Sequence, residues 1–220
     1  MFFNRKKNRT KERIPFIKNN SDLLEELKEK GISDKNILDA IKKVPRELFV
    51  DKKYAKFAYE NIPLPVECEQ TISQPYVVAY MIDCLKLNKT DKVLEIGTGT
   101  GYQTALLAHL SSQVCTIEIF DKLYNQAKIN HDKLKLTNIS HMLGNGIHGW
   151  DEHTLFDAII ICAATKSSSI KFLKGLKKGG KLIFPKKCLS GAQKLILIEK
   201  IDKTEYKHKT LFDVKFVPLL

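Results

Sequence analysis

No apolar stretch in these 220 residues approaches the ~20 that a membrane-spanning helix requires, and the N-terminus has no apolar core of the signal-peptide kind. Neither a membrane protein nor an exported one is expected, and the predicted location is the cytoplasm. Cysteine is scarce and scattered: Cys68, Cys84, Cys115, Cys162 and Cys188 are odd in number and include no C-x-x-C pair. They read as reduced thiols, mostly in the core, and not as a disulfide framework. A catalytic cysteine has no partner pattern to support it. The six histidines show neither H-x-x-x-H nor H-x-E spacing, so no metal site is expected. Internal repeats are lacking, as is any low-complexity stretch beyond a basic N-terminal segment.

Acidic residues are also in the minority, 25 against 37 basic, which gives a net charge of +12. Residues 1–18 hold seven basic side chains against Glu12, so a short tail carries +6, half of the excess. A tail of this kind can touch nucleic acid or acidic surfaces, but more often it is a solvated extension. The hydrophobic content of 43% is ample for one packed core. The expected organisation is a disordered basic tail over 1–20 and a single domain over 21–220, in which 21–75 form an N-terminal helical lid.

The stretch that organises the chain is 92–118. Val93, Leu94 and Ile96 read as a buried strand that breaks at Gly97-Thr98-Gly99-Thr100-Gly101. Helical spacing of Ala105, Leu106, Leu107 and Leu110 follows, and then a second apolar run from Val114 that closes on an acid, Glu118. Glycines let the backbone turn sharply and approach a ligand, and an acid after the second strand can take both hydroxyls of a ribose. Dinucleotide folds use G-x-G-x-x-G for a pyrophosphate. Here the spacing is G-x-G-x-G, with Glu95 two residues ahead of it. That variant suits a ligand with no phosphate and a cationic amino-acid end, which points to S-adenosylmethionine. A ligand-free turn in a βαβ unit is the bland alternative.

Upstream, Ser21 is placed to cap a helix bearing Leu23, Leu24 and Leu27, and Ser33 or Asp34 opens another with Ile37, Ile41 and Val44. A turn or short helix over Arg46–Val50 follows, and nothing in these segments suggests chemistry. Pro63, Pro65 and Pro75 exclude a regular helix over 61–75 and put Thr71 and Ser73 in a loop before a helix at about Tyr76–Leu87. Taken alone, Ser73 reads as that helix's N-cap. Downstream, a helix is expected over Asp121–Lys135 and a strand over Ile139–Leu143, ending in Gly144-Asn145-Gly146. In open α/β sheets ligands lie beyond the carboxyl ends of the strands, so Asn145 is placed to meet an adenine edge, or merely to turn the chain. Phe156–Cys162 reads as a buried strand, Ser168–Leu176 as a helix, and Lys181–Phe184, Lys194–Glu199 and Leu211–Val217 as strands, the last two antiparallel.

Together, Gln70-Thr71-Ile72-Ser73-Gln74-Pro75, the Val93–Gly101 block, Gly144-Asn145-Gly146, Phe156-Asp157-Ala158-Ile159, Gly179–Pro185 and Phe216-Val217-Pro218-Leu219 resemble the protein-L-isoaspartate (D-aspartate) O-methyltransferase family over roughly 40–220. The glycine loop is general to methyltransferases; the Gln-Thr-Ile-Ser-Gln-Pro block is the more specific mark. The resemblance implies a Rossmann-like α/β fold, a seven-stranded methyltransferase sheet with its last strands reordered. It implies Ser73 as the active-site serine, with Gln70, Thr71 and Ile72 lining the cofactor and substrate cleft. Glu95, Gly97, Thr98, Gly99 and Gly101 would serve the methionine end of the cofactor, Glu118 the ribose, and Asn145 with Gly146 the adenine. S-adenosylmethionine would be the methyl donor, S-adenosylhomocysteine the product, and isoaspartyl peptides and proteins the partners of a monomeric repair enzyme that uses no metal.

Two departures stand out. Glu67 and Glu69 occupy positions where the family often has glycine, and Glu69 brings a carboxylate near a site meant to bind one. Asn145 stands where Asp is usual, yet it can still accept a hydrogen bond from an adenine amino group. Three rivals stay open: a methyltransferase acting on RNA, a non-catalytic S-adenosylmethionine-binding relative, and, more remotely, an NAD-dependent oxidoreductase.

Overall fold

A computed structural model describes residues 19–151, 153–166 and 170–220, with residues 170 and 171 given by their backbone alone. The basic segment 1–18 and the expected helix start at Ser168 lie outside the described residues.

The first helix, α1 (Asn20–Glu29), starts one residue before the expected cap. Asn19, not Ser21, supplies the capping oxygen, and it accepts from the Ser21 and Asp22 amides. An Asn at that position satisfies two amides that the first turn leaves unpaired, and Ser21 is thereby drawn into the helix. α2 (Lys35–Lys43) is capped by Asp34, one of the two expected residues. Leu23, Leu27, Ile37 and Ile41 turn inward at helical spacing. A 3₁₀ turn, Arg46–Phe49, and a second, Lys52–Phe57, lead to a short hairpin of β1 (Leu64–Pro65) and β2 (Thr71–Ile72). α3 (Pro75–Leu85) begins on Pro75, whose missing N–H is no loss in a first turn.

Then comes the α/β unit: β3 (Lys92–Ile96), α4 (Tyr102–Leu110), β4 (Gln113–Glu118), α5 (Asp121–Lys133) and β5 (Ile139–Leu143). β6 (Phe156–Ile161), the short α6 (Ile170–Lys174), β7 (Leu176–Lys187), β8 (Gln193–Lys200) and β9 (Tyr206–Val214) complete the chain. The expected strand at Lys181–Phe184 is the middle of the longer β7. The expected Leu211–Val217 strand begins earlier, at Tyr206, because β9 pairs with β8 along nearly its whole length.

These seven strands form one sheet in the order β5-β4-β3-β6-β7-β8-β9. β3 to β7 run parallel to one another, and β8 and β9 continue the sheet from β7 as an antiparallel meander, the antiparallel pairing of the last two strands being the one expected from sequence. The chain leaves β3 toward β4 on one side and returns to β6 on the other. That reversal opens a crevice at the carboxyl ends of β3 and β6, where α/β sheets hold ligands.

Side chains alternate across the sheet. Val93, Ala158, Ile160 and Ile183 join one core with α1 to α4, and Leu94, Ile96, Ile159, Ile161, Leu182 and Phe184 build the other. The N-terminal helices belong to the first of these cores: Leu23, Leu27, Phe49 and Ile72 pack in one cluster with Val93 and Ile160. The expected lid is thus part of the domain's packed body. No described helix is long and apolar enough to cross a membrane.

Candidate active site

The crevice is an open cleft, concave as small-molecule sites are. Its walls include the Gln70–Ser73 segment, the glycine loop, the end of β4 through Phe120, and Val217–Leu220, with Val78, Leu123, Gly146 and Cys162 between them.

The glycine loop begins where β3 ends, with the Gly97 amide donating to Ile117 O at 2.8 Å. Gly101, which starts α4, has φ +96°, and a Cβ there would lie 2.4 Å from His131 Nε2. Only glycine fits, since the backbone is left-handed and the space is already filled. His131 Nε2 bonds Gly101 O at 2.8 Å, and His131 Nδ1 bonds His141 Nε2 at 2.8 Å. The imidazole pair thus props the loop from α5 and β5. Burial lowers the pKa of both; that of His141 falls to about 4, with His131 and Lys128 adding to the effect.

Glu118, at the end of β4, is held by three backbone amides. Gly99 N donates to Oε2 at 2.8 Å, and Ile119 N and Phe120 N donate to Oε1 at 2.9 and 3.0 Å. Burial raises its pKa, and these amides pull it back. A carboxylate fixed in this way on a cleft wall retains lone pairs for a pair of hydroxyl donors.

Glu95 does not reach the cleft. It is fully buried and takes hydrogen bonds from Gln103 Nε2 (2.9 Å), Thr116 Oγ1 (2.7 Å) and Thr104 Oγ1. Burial pushes its pKa up to about 7 against the pull of those donors. Thr98 is on the cleft wall, but its hydroxyl meets Thr116 Oγ1 at 2.6 Å. Gln103 is the link between this buried cluster and the cleft: it lines the wall and also donates to Cys162 Sγ at 2.8 Å.

Ser73, with Gln70, Thr71 and Ile72, lines the same cleft. The N-cap of α3 is Gln74 and has no side-chain capping bond, so Ser73 does not play the capping role that a lone serine before a helix suggests. Among the described residues the Ser73 hydroxyl has no hydrogen-bond partner, whereas its carbonyl accepts from Arg46 Nη2 at 2.9 Å. Gly146 is on the wall as expected, and a Cβ there would lie 2.3 Å from Ile96 Cγ2. Asn145 is not; its Oδ1 accepts from Ile147 N at 2.9 Å, the ordinary turn role.

Glu67 and Glu69 are both exposed, and Glu67 pairs with Lys122 at 2.9 Å. Neither carboxylate is buried against the acceptor site. Sequence reasoning missed Gln103, Cys162, Phe120, Leu123 and the terminal Pro218–Leu220 as wall residues. Only the Phe-Val-Pro-Leu run had drawn notice, and then as a mark of resemblance. Among the described residues no group of three or more His, Cys, Asp or Glu side chains could hold a metal ion.

Comparison with known proteins agrees with this geometry. The sequence model described as "Protein-L-isoaspartate(D-aspartate) O-methyltransferase" matches residues 18–220. A protein-L-isoaspartate O-methyltransferase of Parvibaculum lavamentivorans is 44% identical over 202 residues, 90% of each chain. One from Yersinia enterocolitica is 45% identical over 198 residues, 90% of this chain and 94% of that one. A solved protein-L-isoaspartate O-methyltransferase superposes with a TM-score of 0.84 at 30% identity, over 91% of this chain and 65% of that one. A Plasmodium falciparum candidate of the same name, solved with S-adenosyl-L-homocysteine, gives 0.81 at 27% identity over 92% and 98% of the two chains. The chain belongs to the protein-L-isoaspartate (D-aspartate) O-methyltransferase family.

Proposed function

We propose that Ser73 orients the acceptor carboxylate of an isoaspartyl residue for methylation by S-adenosylmethionine bound against the glycine loop. The family membership makes this chain an S-adenosylmethionine-dependent methyltransferase of isoaspartyl residues in protein repair; the assignment of roles to side chains is our reading. The observation that carries it is the Ser73 hydroxyl, uncommitted to any described partner, on the wall of the cleft that the glycine loop also lines.

The residues fit the donor. Glu118 presents a fixed carboxylate where a ribose diol would donate two hydrogen bonds, and Gly146, whose lack of a Cβ lets it pack directly on Ile96, would offer its main chain to the adenine at the cleft wall. Gly97, Thr98, Gly99 and Gly101 would take the methionine end, with Gln103 on the wall and Glu95 acting through it from the interior. Asn145 would contribute by holding the turn that presents Gly146. Gln70, Thr71 and Ile72 would shape the mouth of the cleft. S-adenosylmethionine supplies a methyl group on a sulfonium sulfur and leaves as neutral S-adenosylhomocysteine.

The acceptor carboxylate is ionised at neutral pH and is already a nucleophile, so no side chain need remove a proton. Its oxygen bonds the methyl carbon as the carbon–sulfur bond breaks, and the bonding pair stays on sulfur. No proton moves, and the two opposite charges vanish together. The chain's own contribution is alignment and exclusion of water. Ser73 donates a hydrogen bond to the carboxylate oxygen not being methylated, while Ile72, Val78, Phe120 and Pro218 supply apolar wall.

Replacing Ser73 with alanine tests this. Turnover of an isoaspartyl peptide should fall about 100-fold with S-adenosylhomocysteine affinity unchanged, since the lost bond is on the acceptor side. Parallel losses in both would refute the role. We further read the protein as cytoplasmic, a reading supported by the scattered free cysteines, and as a monomer, and we assign the basic tail no role in nucleic-acid binding.

A further inference from the structure

We infer that Arg46 is a positioning residue that fixes the Ser73 main chain for methyl transfer. This rests on the acceptor role proposed for Ser73 and extends it to a residue far from the cleft in sequence.

Arg46 is completely buried, at 0% exposure. Its guanidinium donates from Nη1 to Ala58 O at 2.6 Å, and from Nη2 to Ile62 O at 3.2 Å and Ser73 O at 2.9 Å. These carbonyls belong to three separate stretches: the end of the second 3₁₀ turn, the loop before β1, and the link between β2 and α3. The Tyr102 ring lies 5.6 Å from the guanidinium carbon, and Tyr102 opens α4 and lines the cleft. One side chain therefore joins the N-terminal segments to the catalytic loop and to the helix that follows the glycine loop.

The arrangement is a poor device for stability alone. Among the described residues no carboxylate forms an ion pair with Arg46, and Glu47 beside it is engaged by Tyr59. Arg46 Nε is buried with no hydrogen-bond partner. Burial lowers the pKa to about 10, so the side chain is still a cation at neutral pH. A buried cation lacking a counter-ion is commonly matched or bettered in stability by an apolar side chain of similar size. A planar fork does something an apolar chain cannot: it fixes several carbonyls in one plane, and a lysine ammonium, a point charge on a flexible stem, reproduces that only in part.

What the fork fixes is the serine. Ser73 precedes Gln74, whose Nε2 donates to Asn61 O at 2.7 Å, and Tyr76 N donates to Asn61 Oδ1 at 2.9 Å. Arg46 anchors the Ser73 carbonyl, and Asn61 anchors Gln74 and Tyr76 just after it. Release of the Ser73 carbonyl would let its peptide plane rotate and carry the hydroxyl away from the acceptor, and a displacement of about 1 Å can lower turnover on the order of 100-fold.

The test compares Arg46→Met, Arg46→Lys and Ser73→Ala in the full chain. It reads kcat and KM for an isoaspartyl peptide, the dissociation constant of S-adenosylhomocysteine, and a thermal melt. Arg46→Met should lower kcat about 10- to 100-fold with S-adenosylhomocysteine affinity within about threefold, and Arg46→Lys should recover part of the loss. Should Arg46→Met fail to fold, Arg46→Lys must by itself lower kcat at least about fivefold with product affinity kept. A folded Arg46 variant that keeps parental kcat, or that loses kcat and product affinity in parallel, overturns the inference. Full turnover by Ser73→Ala removes the role of Ser73 and this inference with it. Loss in Ser73→Ala beside parental kcat in folded Arg46→Met removes the inference alone.

Discussion

Replacing Glu95 with glutamine isolates the cost of a carboxylate sealed beneath the cofactor loop. Glu95 has no exposed surface, and burial raises its pKa from 4.5 to about 7, against opposing hydrogen bonds from Thr104, Thr116 and Gln103. Between those two values the folded protein holds a proton that the unfolded chain has released, so stability falls as pH rises from about 4.5 to about 7 and is level above that. At about 1.4 kcal/mol per pH unit, the whole change is on the order of 3 kcal/mol. Glutamine cannot ionise, and its amide can still accept from Gln103 and donate to a rotated threonine hydroxyl. The variant therefore lacks this downward slope. Urea unfolding of both proteins across about pH 4 to 8, read as the difference in unfolding free energy at each pH, is the assay. That difference should move in favour of the glutamine variant by a few kcal/mol across the range. The contributions of His131 and His141 are common to both proteins and cancel. A difference constant to within about 0.5 kcal/mol would show that Glu95 ionises as in water, and the account of the buried cluster would fail.

His141 runs the other way. Its pKa is lowered to about 4 through burial, His131 and Lys128, with Asp132 opposing. Its neutral form is favoured in the fold, and that contribution is complete above about 6.5 and lost as pH falls toward 4; a His141→Phe variant should lose less stability than the parent over that window in acid-melt series. Gly101→Ala combines a left-handed backbone with a 2.4 Å approach to His131 Nε2; it should lower stability by about 2–4 kcal/mol in urea and weaken S-adenosylhomocysteine binding measured by calorimetry. The Glu67–Lys122 pair, with side chains 51% and 65% exposed, should by contrast be nearly silent: Lys122→Ala should leave the urea unfolding midpoint unchanged, and a clear loss would mean that the pair fastens the mouth of the cleft.

The parts of this molecule legible in sequence were those set by local pattern. An apolar run broken by Gly97, Gly99 and Gly101 admits little besides a strand, a tight loop and a helix, and β3 and α4 are there. Glu118 could be placed because it closes a strand whose neighbour carries the loop. Helix starts were read less well: Asn19 caps α1 where Ser21 was expected, since serine and asparagine are near equals at that position and only the fold decides between them. Ser73 has the sequence context of a cap, and it does not cap because Gln74 and Pro75 already open α3. Glu95 was placed by its spacing from the glycines and Asn145 by its position at a strand end and by the resemblance; in the fold Glu95 faces α4 from β3, and Asn145 bonds its own chain at Ile147. Such outcomes depend on which face of a strand is covered and on which amide lies nearest. Arg46 left no signal at all. It stands beside Glu47 in a short turn flanked by Val44-Pro45 and Leu48-Phe49, and its burial goes with three distant carbonyls that converge on it.

The central claim is that this cleft directs a methyl group to an isoaspartyl carboxylate. Its most direct test gives the protein labelled S-adenosylmethionine and two matched peptides, one with L-isoaspartate and one with ordinary L-aspartate, and measures base-labile label in each. Label confined to the isoaspartyl peptide is the predicted result. Equal labelling of both peptides, or of neither while S-adenosylmethionine is bound, would contradict it.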